Sequence, residues 1–254
     1  MTSIDSADLH PLHEAEKFNA RSIRRLIARR IDRNSLAARQ STHVSVEPRI
    51  DILFAAESPQ ALILRRGPSD WVHVLTWDTS TDVVTRGAWF HGRIDASRCS
   101  LSPDGQLLIY FAVCHRKTSR WPLGFAWTAI SKPPWLTALV RWTQSDTWAG
   151  GGSFCGNNSV LLNFSKWRHW VLRRGHVPKT FTVFFAPKSS SNSSATLPAK
   201  CSYDNAVGID QQGLGFALQN TCLVRQAGDK IVKIVDLSNM SPDPQPSPQI
   251  ARVW

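Results

Sequence analysis

The chain has 254 residues, 42% of them hydrophobic, and a formal net charge of +11. That apolar share can supply a core, which excludes a disordered polyelectrolyte, and no stretch approaches the roughly 18 to 20 consecutive apolar residues of a membrane-spanning helix. The first twenty residues hold acids and histidines where a secretory signal has an apolar run, so the expectation is a soluble, cytoplasmic protein.

From the N-terminus, LHEAEKFNARSIRRLIARRIDRNSLAARQ reads as a basic amphipathic helix. Ile23, Leu26, Ile27 and Ile31 fall on one face, and Arg21, Arg24, Arg25, Arg29 and Arg33 occupy much of the remainder. Residues 17 to 39 carry eight Lys or Arg against the single Asp32. Such a segment suits a nucleic acid, another polyanion or an anionic membrane surface; a helix packed by its Ile stripe or a disordered leader are the structural readings. His10 and His13 have the spacing of two metal ligands with no evident third, so no metal or cofactor is expected.

After Pro48 the pattern changes. IDILFAA, ALILRR, WVHVLTW, QLLIYFAV, TALVRW, SVLLNF, TFTVFFA, LGFAL, TCLVRQ and KIVKIVDL are short strand-like runs, each bounded by Gly, Pro, Asn, Asp or Ser. Residues 1–48 are therefore expected to form an arm and residues 49–254 an all-β domain. Ten of the eleven tryptophans lie between residues 71 and 170, as expected of large flat side chains packed between sheets. KSSSNSSATLPAK (188–200) reads as a polar insertion, and SPDPQPSPQ (241–249) is too proline-rich for a central strand.

Turn-then-strand units recur. Gln60, Gly105, Asn158 and Gly213 mark them at offsets of 45, 53 and 55 residues, a spacing that suits stacked modules of several antiparallel strands. SLSPDGQLLIYFA resembles the Ser-Pro-Asp-Gly strand start of WD40 and TolB-type β-propeller repeats, and DQQGLGFALQNTCLVR is similar to a looser copy. Trp77-Asp78 forms a Trp-Asp pair without the Gly-His partner of that repeat. Otherwise the sequence resembles bacterial proteins and not a family of defined activity. The resemblance implies a small β-propeller-like domain of four or five blades, and is silent on chemistry. A two-layer β-sandwich is the alternative architecture.

Candidate chemistry is sparse. Asp104 fits a Pro-Asp-Gly turn, with Gly105 supplying the positive φ. Asp78, Asp146 and Asp210 are other acids near strand ends, and a pair of them converging in a channel would suit glycoside hydrolysis. His91 and the Cys114-His115 pair could supply a nucleophile and base only if the fold joined residues from separate strands. The Gly150-Gly151-Gly152 run suits either close approach of a backbone to an anion or a tight crossover. Cys99, Cys114, Cys155, Cys201 and Cys222 are odd in number and widely spaced, which argues for reduced thiols. The Asn-x-Ser sites at Asn157, Asn163, Asn192 and Asn239 carry no weight without a secretory route. The expectation is an intracellular binding protein with a protein partner, no catalytic residues, and a surface at one end of the domain formed by Trp89, Arg93, Trp148 and Asp210. A hydrolase and a polyanion binder acting through Arg21, Arg24, Arg25 and Arg29 are the alternatives.

Overall fold

The structure, a computed structural model, describes residues 47–67, 69–115, 124–164, 172–186, 200–202, 207–227 and 230–254. The chain divides between Ser45 and Val46, and the description below concerns residues after that boundary. The expected basic helix with Arg21, Arg24, Arg25 and Arg29 lies outside the described residues, as do positions 188–199 of the polar insertion. Among the described residues no helix is long and apolar enough to cross a membrane.

The described body is all-β. β1 (Arg49–Phe54), β2 (Gln60–Arg66), β3 (Trp71–Asp78) and β4 (Val83–His91) follow one another in a first sheet. A second sheet contains β5 (Arg93–Ile94), β6 (Ser100–Leu101), β7 (Leu108–Val113), β8 (Ala126–Ser131) and β9 (Val140–Gln144). β10 (Gly152–Gly156) and β11 (Ser159–Leu162) begin a third. The next three strands are shared out: β12 (Leu172–Gly175) joins β9, β13 (Thr182–Phe185) runs parallel to β11, and β14 (Lys200–Ser202) pairs with β1. β15 (Val207–Ile209), β16 (Gly215–Gln219), β17 (Cys222–Ala227) and β18 (Lys230–Asp236) form a fourth. Apart from β11–β13, the pairings are antiparallel, and none of the four sheets closes into a barrel.

Packing follows from which faces are apolar. Leu62, Leu64, Val72 and Val74 of the first sheet meet Ile94, Leu108, Tyr110 and Ala112 of the second. The opposite face of the first sheet, with Ile52, Ile63, Leu75 and Trp77, packs on Phe216, Leu218 and Leu223 of the fourth. Ile109, Ile130 and Trp142 on the far face of the second sheet meet Val160 and Leu162 of the third. The order is thus fourth, first, second, third, where a two-layer sandwich would have two sheets. Strands of the two inner sheets need apolar residues on both faces, and Ala61–Arg65 and Leu108–Val113 are buried without interruption. β11 and β16 alternate in burial, as strands with one covered face do. Each buried Leu or Ile contributes about 1.5–3 kcal/mol.

The near-periodic markers occupy equivalent places. Gln60 opens β2, while Gly105, Asn158 and Gly213 sit in the turns before β7, β11 and β16, so each belongs to a hairpin in a different sheet. These turns interlock. Glu57 N–H donates to Pro103 O at 2.8 Å, Asp104 N–H to Asn157 Oδ1 at 2.9 Å, and Gln211 Nε2 to Ala55 O. At Gly105, with φ +75°, a Cβ would stand 2.5 Å from Gln60 Cβ, so the meshing of the first two turns requires glycine there.

The proline-rich 241–249 segment forms no strand, but it is not loose. Arg65 donates to the carbonyls of Leu237 and Ser238, Thr137 Oγ1 lies 2.5 Å from Ser247 Oγ, and Trp254 Nε1 donates to His176 O at 2.7 Å while its ring packs on Phe181. The tail therefore runs as a strap from the fourth sheet past the second to the third.

Candidate functional site

The body has two contrasting ends. β3 spans eight residues, or about 25 Å, between them. Its C-terminal end, at Thr79, lies among the interlocked turns. Its N-terminal end, at Asp70, lines a cavity of about 650 Å³.

At the turn end the acids serve the backbone. Asp78, Asp95, Asp104, Asp146, Asp210 and Asp236 each accept the backbone N–H two residues on, a pattern that extends beyond this end to other turns of the body. Asp104 also accepts from Ser102 Oγ at 2.5 Å, so its carboxylate shapes the turn. Asp210 has a second duty. Arg225 reaches it through Nη1 at 2.7 Å, holds Asp82 through Nε and Nη2 at 2.7 and 2.6 Å, and donates to Thr79 O at 2.9 Å. The guanidinium lies 5.6 Å from the centre of the Trp77 ring, whose Nε1 donates to Asp82. Hydrogen bonding to Asp82 raises the Arg225 pKa against the effect of burial, with Asp210 adding to it, so this cation is permanent. It fastens the first sheet to the fourth.

The cavity end is built differently. His91, Gly92 and Arg93 come from the β4–β5 corner, Val113, Cys114 and His115 from the end of β7, Asp95 and Arg98 from the short 3-10 turn Ala96–Arg98, and Thr147 from the loop after β9. Phe111 and Val113 line it from below and belong with Ala126 and Phe125 to a small apolar cluster separate from the three large ones. Arg98 is fixed: its guanidinium lies 4.9 Å from the Phe111 ring centre, Nη1 donates to Thr147 O at 2.8 Å, and Nε is 3.4 Å from Asp95 Oδ2. Burial pushes the Asp95 carboxyl up, but the Ser97 hydrogen bonds, with Arg98 and Arg93 behind them, outweigh it and hold the group below the ordinary carboxylate value.

Aromatic stacking orients the imidazoles. His91 lies on Trp71 at 4.4 Å and 17°, and its Nδ1 is buried with no hydrogen-bond partner among the described residues. His73 lies on Trp89 at 4.1 Å and 8°. Burial pushes the His73 pKa down to about 4, helped by Arg65 and Arg86, so this ring is neutral near pH 7. His115 packs on Phe125 at 4.5 Å. The Cys114 thiol meets the His91 carbonyl at 3.5 Å and not its imidazole, so the fold brings the two residues together without pairing a nucleophile with a base. Among the described residues no group of His, Cys, Asp and Glu is arranged to hold a metal ion.

Of the residues singled out in the sequence, Arg93 lines the cavity, Trp148 follows the lining residue Thr147 and is 89% exposed, and Trp89 lies two residues from His91. Asp210 stands apart from them, at the turn end and bound by Arg225. The glycine run is a tight crossover between the second and third sheets. A Cβ at Gly150 would lie 2.4 Å from the Phe111 ring, one at Gly151 2.3 Å from Arg98 O, and the Gly151 N–H already donates to Thr128 Oγ1. Arg98 and Arg225 escape a reading of the sequence, because each is a lone arginine with a fixing partner far along the chain, Thr147 for Arg98 and Asp82 for Arg225. Compared with known proteins, the chain matches no family model, no curated protein and no solved structure.

Proposed function

We propose that this chain is a binding protein, with four blade-like sheets in a small propeller-like arrangement that presents its cavity end to a protein partner in the cytoplasm. Four sheets built mainly from consecutive strands, each with a hairpin at the same marker and stacked through both faces of the inner pair, support that arrangement. The propeller repeats that SLSPDGQLLIYFA resembles fit it as well.

The observation that carries the binding reading is the contrast between the ends. At one, Asp78, Asp104 and Asp210 are engaged in turns or with Arg225. At the other, a cavity is rimmed by Arg93 and followed by the exposed Trp148, the residue types that dominate recognition surfaces. A glycosidase needs two carboxylates free to exchange protons, and the turn roles of these acids weigh against that reading. The experiment is site-specific photo-crosslinking in the native cell, with the reactive residue at 148 or at the exposed turn-end position Gln106. Adducts of one defined size from 148 and none from 106 are expected; adducts from 106 alone would overturn the proposal. The second reading, a polyanion held by the basic segment, rests on the eight cations between residues 17 and 39. It predicts salt-sensitive retention on heparin that vanishes when Arg21, Arg24, Arg25 and Arg29 become Gln and is unmoved by changes at Arg93.

A further inference from the structure

We propose that the cavity at the β4–β5 corner is a site for a small organic anion, a single acidic group carried on a flat apolar body. This rests on the reading of the chain as a binding protein and names what its cavity takes. The volume of about 650 Å³ lies in the range of small-molecule sites. Phe111 and Val113, from the separate small cluster, supply an apolar surface for a ring. Among the described residues, the polar groups around it are two guanidiniums, two imidazoles, the Cys114 thiol, Thr147 and two carboxylates.

The charge balance turns on which of these groups are already engaged. Asp95 accepts from the backbone N–H and hydroxyl of Ser97 and faces Arg98. Arg98 is held in place by Phe111, Thr147 O and Asp95, so it is oriented before any ligand arrives. Arg93 stands exposed on the rim, makes no hydrogen bond among the described residues and adds its charge to the field on Asp95, while the His91 ring is fixed by Trp71 with its Nδ1 closed off from solvent. A pre-oriented guanidinium and a second, exposed one beside an apolar surface are suited to a carboxylate or phosphate. A cationic ligand would have to face both arginines with Asp70 as its main counter-charge.

Phenyl phosphate is the probe, followed by amide chemical shifts of the full-length chain. Saturable shifts at Gly92, Cys114 and Thr147 are expected, with weaker ones from inorganic phosphate, which lacks the ring, and none from benzamidine, which has the ring and the opposite charge. Arg93→Met, at an exposed position, should weaken phenyl phosphate by about ten-fold or more with the spectrum otherwise intact. Arg98→Met should do the same, and because it also removes a wall contact, Arg93→Met carries the decision. Unshifted amides, equal binding of benzamidine, or an Arg93→Met protein that binds as well as the parent would each overturn the proposal. Crosslinking from position 148 that persists while phenyl phosphate fails to bind would sink the small-anion site alone and leave the binding reading standing.

Discussion

The two ends of β3 bear the same kinds of residue and use them in opposite ways. At the turn end, Arg225, Asp82, Asp210 and Thr79 satisfy one another, and hairpins from different sheets are hydrogen-bonded to each other through backbone and side-chain groups. At the cavity end, Arg93 is exposed on the rim without a hydrogen bond among the described residues, and Trp148 stands in solvent. A guanidinium buried among counter-charges holds sheets together, whereas one exposed on a cavity rim is available to something else. Damage at the turn end should therefore be read in stability, and damage at the cavity end in binding.

The largest effect is expected at the turn end. Arg225→Ala strips Asp210, whose side chain is fully buried, and Asp82 of their shared cation, and buried charges left without a partner cost about 3–5 kcal/mol. Thermal unfolding should show a drop in Tm of about 6–20 °C for a domain of this size. Asp210→Asn in the Arg225→Ala background should restore part of it. A variant as stable as the parent would mean that the first and fourth sheets are held together by apolar contacts alone.

How far this contrast can be read from sequence differs between its two halves. The turn end is largely legible: Pro-Asp-Gly and the other markers are local signals, written within four or five residues, and each falls in a turn or, for Gln60, at the first residue of the strand after one. Strand existence is legible where the apolar run is short and clearly bounded, but β4 and β8, whose Gly, Ala, Thr and Ser residues break up such a run, lie outside the runs read from the sequence. What holds the turns together is not local. Arg225 and Asp82 are 143 residues apart, and Asp104 and Asn157 are 53 apart, so no pattern pairs them. The cavity shows only in fragments, with Arg93 and Trp148 visible as residue types suited to binding while Asp210, of equally suitable type, sits at the other end. Strand swapping adds a further obstacle, because β12 and β14 join sheets already passed by the chain through edge pairings that leave no mark in the local sequence.

A smaller effect concerns pH and lies toward the cavity end, on the stacked pair of His73 and Trp89. An unfolded histidine titrates near 6.5, and burial lowers the folded value to about 4. Between those values the unfolded chain binds the extra proton, so stability falls as pH drops from about 6.5 toward 4 and levels off below. Allowing for partial access of solvent, about 1 kcal/mol is expected over that window, a Tm change of about 2–4 °C. His73→Phe keeps a ring on Trp89 and removes the titration, so its Tm should be flatter over the same range. Carboxylates held below their usual value, Asp78 and Asp236 among them, give up their contribution only at more acidic pH, which separates the two causes. A His73→Phe profile parallel to the parent would place the acid response elsewhere.

The smallest effect on stability is expected where the effect on function should be greatest. A tryptophan that is 89% exposed contributes almost nothing to the core, so Trp148→Ala should leave Tm within the equivalent of about 0.5 kcal/mol. Its loop is presented by Asp146, which accepts the Trp148 backbone N–H, and that bond survives the change of side chain. An exposed ring of this size gains nothing from water and raises the risk of aggregation, so its retention on the rim beside Thr147 makes sense when a partner covers it. The decisive comparison is therefore between two variants in one partner-capture measurement. Trp148→Ala should lose the partner while keeping the parent Tm, and Arg225→Ala, assayed well below its own Tm, should keep the partner while losing stability. If both variants lose the same property, the two ends are not the separate devices that their hydrogen bonding indicates.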